Sequence, residues 1–129
     1  MRERRIRVLK VEPGKHPEVT ELDNDLDSLQ KAVSIGADSQ GLIEILPLEE
    51  SVCLLCNEEG KLIGLEGNRR VGDDIITGVF YVTGEDAEGN LSSLPTAQIK
   101  KYMDTFWSIE QYSQTDVEKA LLSGLCFLS

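Results

Sequence analysis

The run from Ile75 to Thr83 constrains this chain more than any other stretch. Nearly every position in it is β-branched or aromatic, with one interruption at Gly78. Branching at Cβ stiffens χ1 and fits a pleated surface better than a helix. A buried strand is expected here, and with it a fold built on a sheet. Aromatic residues make up only 5% of the chain, so the rest of the core must come from Leu, Ile and Val. With 129 residues, 40% hydrophobic and 28% charged, the chain can bury one core of its own.

Further strands follow from alternation and turn chemistry. Ile6, Val8 and Val11 mark a first strand over residues 4 to 12, and Pro13-Gly14 is a turn signal. Val19, Thr20 and Leu22 return it as a hairpin, with Pro17 at the start. Leu42 to Leu46 is a strand stopped by Pro47, and Val52 to Cys56 is another. Asn57 to Gly60 reads as a turn returning into Lys61 to Leu65 as hairpin partner. Glu66 to Asp74 reads as a loop, and Gly84 to Asn90 as an acidic turn.

The period changes to helical in three places. Leu26, Leu29, Ala32 and Val33 share one helical face, with Asp23, Asn24 or Asp25 as N-cap and Asp27 paired to Lys31. A polar linker, Gly36 to Gly41, follows it. From Pro95, residues Ile99, Tyr102, Met103 and Phe106 form a buried stripe. Thr115 to Glu118 has the form of a capping box opening a short helix that Gly124 would end. The expected fold is α+β: a mainly antiparallel sheet of about five strands with two to three helices on one face. Residues 1–107 form the domain. Residues 108–129 are a helical extension packed on it or on a partner chain.

Charge narrows the functional classes. The net charge is −10, and residues 1–35 are balanced, so the whole acidic excess lies in residues 36–129. Such a surface repels phosphate backbones and argues against direct nucleic-acid binding. It suits solubility, a basic partner or mimicry of nucleic acid. No run approaches the ~18 apolar residues of a membrane helix. The opening Met1 to Arg5 leads into alternation rather than an apolar signal core, so a reducing cytoplasm is the expected setting.

Candidate chemistry is sparse. His16, the lone histidine, lies in a turn and reads as solvated. Cys53 and Cys56 have CxxC spacing, but three residues apart on a strand they face opposite ways, against a redox or zinc site. Asp73-Asp74 and Glu85-Asp86 lack calcium-loop spacing. Gly60, Gly64, Gly67 and Gly72 lack the spacing of a phosphate loop. No cofactor and no metal site is expected. Asn68-Arg69-Arg70 stands out as two guanidinium groups in an acidic region. They either neutralise Glu66, Asp73 and Asp74 or bind a carboxylate, phosphate or partner backbone through their planar forks.

Several short patterns recur together: Val11 to Gly14, Leu26 to Gln30, Ile43 to Ile45 with Pro47-Leu48, and Asn57 to Leu62. Asn68-Arg69, Gly78 to Phe80 with Val82 and Gly84, and Ser93-Leu94 leading to Phe106 continue the series. In these, over residues 4 to 107, the chain resembles a bacterial and phage family, domain of unknown function 3846. Its linker from Gly36 to Gly41 is longer than the family's usual turn, and Pro95 replaces a polar residue. The resemblance implies an accessory role for a mobile element or prophage. It points to Asn57, Asn68 and Arg69, with Arg70 beside them, as ligand or partner positions.

Three functions remain open on these grounds. The first is a non-enzymatic interaction module binding a protein or small ligand near Asn57 and Asn68-Arg69. The second is an acidic decoy that mimics DNA. The third is a small-molecule enzyme with an Asn/Arg/carboxylate site. The apolar finish Leu125 to Leu128 packs back on the domain or joins a second copy of the chain.

Overall fold

Residues in three strands sort by parity onto two sides of one sheet. In β1 (Arg5–Val11), Ile6 and Val8 enter one apolar cluster while Leu9 and Val11 enter another. In β4 (Val52–Asn57), Cys53 and Leu55 oppose Val52, Leu54 and Cys56 in the same manner. In β7 (Phe80–Glu85), Tyr81 opposes Phe80 and Val82. Strands buried on both faces form the middle of a sheet. The computed structural model, which describes residues 3–126 and side chains through residue 122, gives the order β2-β1-β7-β4-β3. Here β2 is Glu18–Asp23 and β3 is Ile43–Glu49, and every pairing is antiparallel. A short β8 (Leu91–Ser92) joins the end of β7.

Each face of the sheet has its helix. Asp25 caps α1 (Leu26–Ala32) by accepting from the Ser28 amide at 2.8 Å, and Lys31 pairs with Asp27 at 2.8 Å. Leu29 and Val33 bury against Ile6, Val8, Leu55 and Tyr81. On the other face, α2 (Thr96–Thr105) starts behind Pro95 and lays Tyr102 and Phe106 on Leu54, Phe80 and Val82, with Ile99 and Met103 half-buried beside them. Full burial of one such side chain contributes about 1.5–3 kcal/mol, so these few anchors suffice to seat short helices. The α+β class and antiparallel sheet are as expected. The helices are divided between the two faces rather than gathered on one, because the middle strands are apolar on both.

The polar stretch expected as a loop is a hairpin. β5 (Gly67–Val71) pairs with β6 (Asp74–Thr77) in a separate two-stranded sheet, turning at Gly72-Asp73 with Gly72 at φ 62°. Ile76 and Val71 pin this hairpin to the α2-side core. The Ile75–Thr83 run is therefore two strands in two sheets, parted at Gly78. There φ is 71°, and an added Cβ would lie 2.8 Å from Leu65 Cδ1. Residues 61–64 form turns, not a strand, and Leu65 after them is buried beside Gly78. Pro47 does not stop β3. The strand lies at the edge of its sheet, where a missing N–H is tolerated, and it continues with a register shift between Pro47 and Glu49.

The last helix also departs from expectation. α3 (Gln114–Cys126) is capped by Ser113, whose hydroxyl takes the Asp116 amide at 3.1 Å while Asp116 takes the Ser113 amide at 2.9 Å. The box is thus two residues earlier than Thr115–Glu118, and the helix continues through Gly124. Leu26, placed on the apolar face of α1, is 65% exposed in the first turn of that helix. The side chains of Leu125 to Leu128 lie outside the described residues. No helix among those described is long and apolar enough to cross a membrane.

Candidate functional site

Asn68 and Arg69 sit on β5 and are fully buried, not displayed on a loop. The Asn68 amide donates to the carbonyls of Val11 and Gly78, both at 2.9 Å, and its oxygen accepts from Arg69 at 2.6 Å. Arg69 donates further to the carbonyls of Phe106 (3.0 Å), Lys15 (2.7 Å) and Asn68 (3.3 Å). A guanidinium has five N–H donors in a rigid fork, so one side chain can hold several backbone segments in register. Burial lowers its pKa, and the nearby Glu110 and Tyr112 act the other way. Two polar residues with remote carbonyl partners thus tie the first turn, the Gly78 break and the end of α2 into one frame.

That frame borders a cleft of about 350 Å3. Its walls are Pro13 and Lys15 of the first turn, Ile35 and Gly36 after α1, Gly64 to Glu66, and Gly78 with Val79. Gly36, Gly64 and Gly78 all have φ between 71° and 88°, so the backbone itself lines much of the cavity. Glu12 stands at the edge with Lys15 at 3.2 Å and Lys10 at 3.5 Å. Burial works to raise its pKa, but the two lysines outweigh it and hold the carboxyl below the usual range. The cleft residues had no distinguishing pattern in the sequence beyond their glycines.

His16 is exposed, as expected of a turn residue, yet it is not free. Its ring stacks on Trp107 with centroids 4.0 Å apart and planes 10° apart, and Nδ1 lies 2.6 Å from the Trp107 carbonyl. Two of the carbonyls that Arg69 clasps belong to Lys15 and Phe106, the residues directly before these two rings.

A second, smaller cleft of about 210 Å3 collects Glu44, Cys56, Asn57, Lys61, Asp74 and Thr77. Lys61 pairs with Asp74 at 3.0 Å. Asn57 is buried and accepts from the Glu59 amide at 2.9 Å, while its Nδ2 has no partner and packs against Gly41. Burial, reinforced by Glu44, pushes the Cys56 thiol up to about 12, so it stays protonated and weakly nucleophilic at neutral pH. Cys53 faces the other side of the sheet, as strand geometry requires. Among the described residues no group of three His, Cys, Asp or Glu could hold a metal ion.

The family model for domain of unknown function DUF3846 matches residues 6–107. The chain belongs to that family. No curated protein and no solved structure matches it. The DUF3846 domain contains Asn57, Asn68, Arg69 and Arg70, the whole of the larger cleft, and, as its last matched residue, Trp107; the smaller cleft is closed in part by Leu121 of α3, beyond it. Arg70 alone of the four is exposed. Its amide donates to Glu110 at 2.9 Å, and its guanidinium lies 5.6 Å from the centre of the Tyr112 ring. Tyr112 in turn donates to Glu110. These contacts, with buried Val117, seat the segment beyond the DUF3846 domain on the β5–β6 hairpin, where Gly67 leaves room for Tyr112.

Proposed function

We propose that this chain is a non-enzymatic interaction module that holds a partner segment or small ligand in the cleft between the first turn, Gly64 and Gly78. The observation that carries the reading is the use made of Asn68 and Arg69. Their donors fix the carbonyls of Lys15 and Gly78, which line that cleft, and of Val11, next to Glu12 at its edge. A buried polar network rigidifies the backbone around it, and a rigid site loses less entropy on binding. The cleft also has the scale of ligand sites, which begin at about 300 Å3. Glu12, held ionised by two lysines, is suited to charge pairing rather than proton transfer.

The carboxylates favour this module over a DNA-mimicking decoy. Glu12, Asp27, Glu49 and Asp74 each face a lysine within 3.2 Å, which takes these four out of any row of free acids. The setting implied by the family resemblance, an accessory role for a bacterial mobile element or prophage in the cytoplasm, belongs to the same proposal. So does self-association through the C-terminal apolar tail.

Selection from a random peptide library against the full chain tests the cleft. Binders should shift the amide resonances of Gly36, Gly64 and Gly78, and should lose affinity for the Ile35→Asp variant. Binders that map to other residues, or that ignore Ile35→Asp, would remove the cleft as the site.

A further inference from the structure

We propose that His16 and Trp107 form a docking platform for an arginine-bearing segment of a basic partner. The pair lies across the first turn from the cleft, and its tautomer can be read from geometry. A carbonyl oxygen has only lone pairs, so the 2.6 Å contact to the Trp107 carbonyl requires the proton on Nδ1 of His16. In the neutral ring Nε2 is then a bare acceptor at the rim of the stack. Trp107 remains 50% exposed and Ile109, two residues on, 41% exposed. Tryptophan is among the side chains most enriched at the centres of contact sites.

The platform is held from beneath. Arg69 clasps the carbonyl before each ring, so neither ring must be ordered when a partner arrives. The chemistry of the occupant follows from three features. The indole face attracts cations. Nε2 asks for an N–H donor. The chain carries a net charge of −10, with its acidic excess in the portion that includes Trp107. Arginine meets all three: its planar guanidinium stacks, donates and is always charged, and neighbouring arginines can engage the indole face and the Nε2 rim together. A nucleobase can also stack, but its phosphates meet a repulsive surface.

Trp107 is the only tryptophan in the chain, so its emission reports on the platform directly. The full chain is titrated with a short peptide alternating glycine and arginine, and with versions carrying lysine or uncharged citrulline instead. The arginine peptide should change Trp107 emission saturably, the lysine peptide should bind several-fold more weakly, and the citrulline peptide should give no saturation. By calorimetry, Trp107→Leu and His16→Ala should each weaken the arginine peptide by about tenfold. Equal binding of the citrulline peptide would overturn the proposal, as would unchanged affinity in both variants. So would displacement of the arginine peptide by a free nucleoside. The cleft experiment reads glycine amides and this one reads Trp107, so either proposal can fail while the other stands.

Discussion

The guanidinium of Arg69 donates from Nε to the carbonyl of Phe106 at 3.0 Å, joining a strand of the small hairpin to the end of α2. The same side chain reaches Lys15 at 2.7 Å. Replacing it with methionine keeps the bulk and strands these oxygens without donors. Arg69→Met should lose about 3–5 kcal/mol in urea unfolding, since each orphaned buried acceptor costs about 1–3 kcal/mol. Arg69→Lys should recover little of this, because one ammonium cannot span both carbonyls. A loss below 1 kcal/mol, about the worth of a single ordinary hydrogen bond, would show that the clasp is incidental.

Two glycines with similar φ should respond differently to alanine. Gly14 (φ 75°) has nothing within 4 Å of an added Cβ, so Gly14→Ala should cost only the left-handed penalty of about 1–2 kcal/mol. Gly78 (φ 71°) adds a 2.8 Å collision with Leu65 Cδ1. Gly78→Ala should therefore cost about 1–3 kcal/mol more than Gly14→Ala. Equal losses in parallel denaturation curves would mean that Leu65 yields freely.

The Cys56 thiol, raised to about 12 by burial and Glu44, should resist alkylation. At pH 8 the thiolate fraction is on the order of one in ten thousand, against about one in ten for an ordinary cysteine thiol of pKa near 9. Iodoacetamide labelling followed by peptide mass mapping should find Cys56 unmodified in the folded chain and modified in urea. Rapid labelling of the folded protein would contradict the environment described.

Alkaline pH should destabilise the protein in part through Tyr81, alongside the similarly raised Tyr102 and Cys56. Burial, with Glu12 and Glu18 nearby, raises its pKa to about 12, and its hydroxyl donates to the Ala32 carbonyl at 3.1 Å. Above pH 10, the usual tyrosine value, the unfolded chain loses this proton while the folded chain keeps it. Stability from this group is thus intact below pH 10 and falls as pH rises toward 12. The loss should be on the order of 2–3 kcal/mol, and Tyr81→Phe should flatten that limb of the stability curve. An unaltered alkaline limb in Tyr81→Phe would count against it.

Local pattern carried β1, β2, α1, β4 and α2, because each has an apolar period or a cap that neighbouring residues suffice to define. It misread Gly67 to Val71, where glycine, asparagine and arginine carry every mark of an exposed loop. What turns that stretch into a buried strand is a set of carbonyls at Val11, Lys15 and Phe106, remote in sequence and indistinguishable as residue types. Asn68 and Arg69 stood out as unusual polar residues, but their inward direction depends on those partners. The His16–Trp107 pair was hidden for the same reason, since its two rings lie 91 positions apart. Lys61 to Leu65 was read as a strand from local turn chemistry, and the demand of Gly78 for Leu65 overrode it.

Pro47 sits on the outer strand beside a register shift, and this limits how other molecules can join the protein. An incoming strand would find no N–H at Pro47 and a kink just past it, so the ladder cannot be extended cleanly along this rim. Main-chain annealing, the route to fibres and swapped oligomers, is hindered at this end of the strand. What approaches from this side must recognise shape and charge.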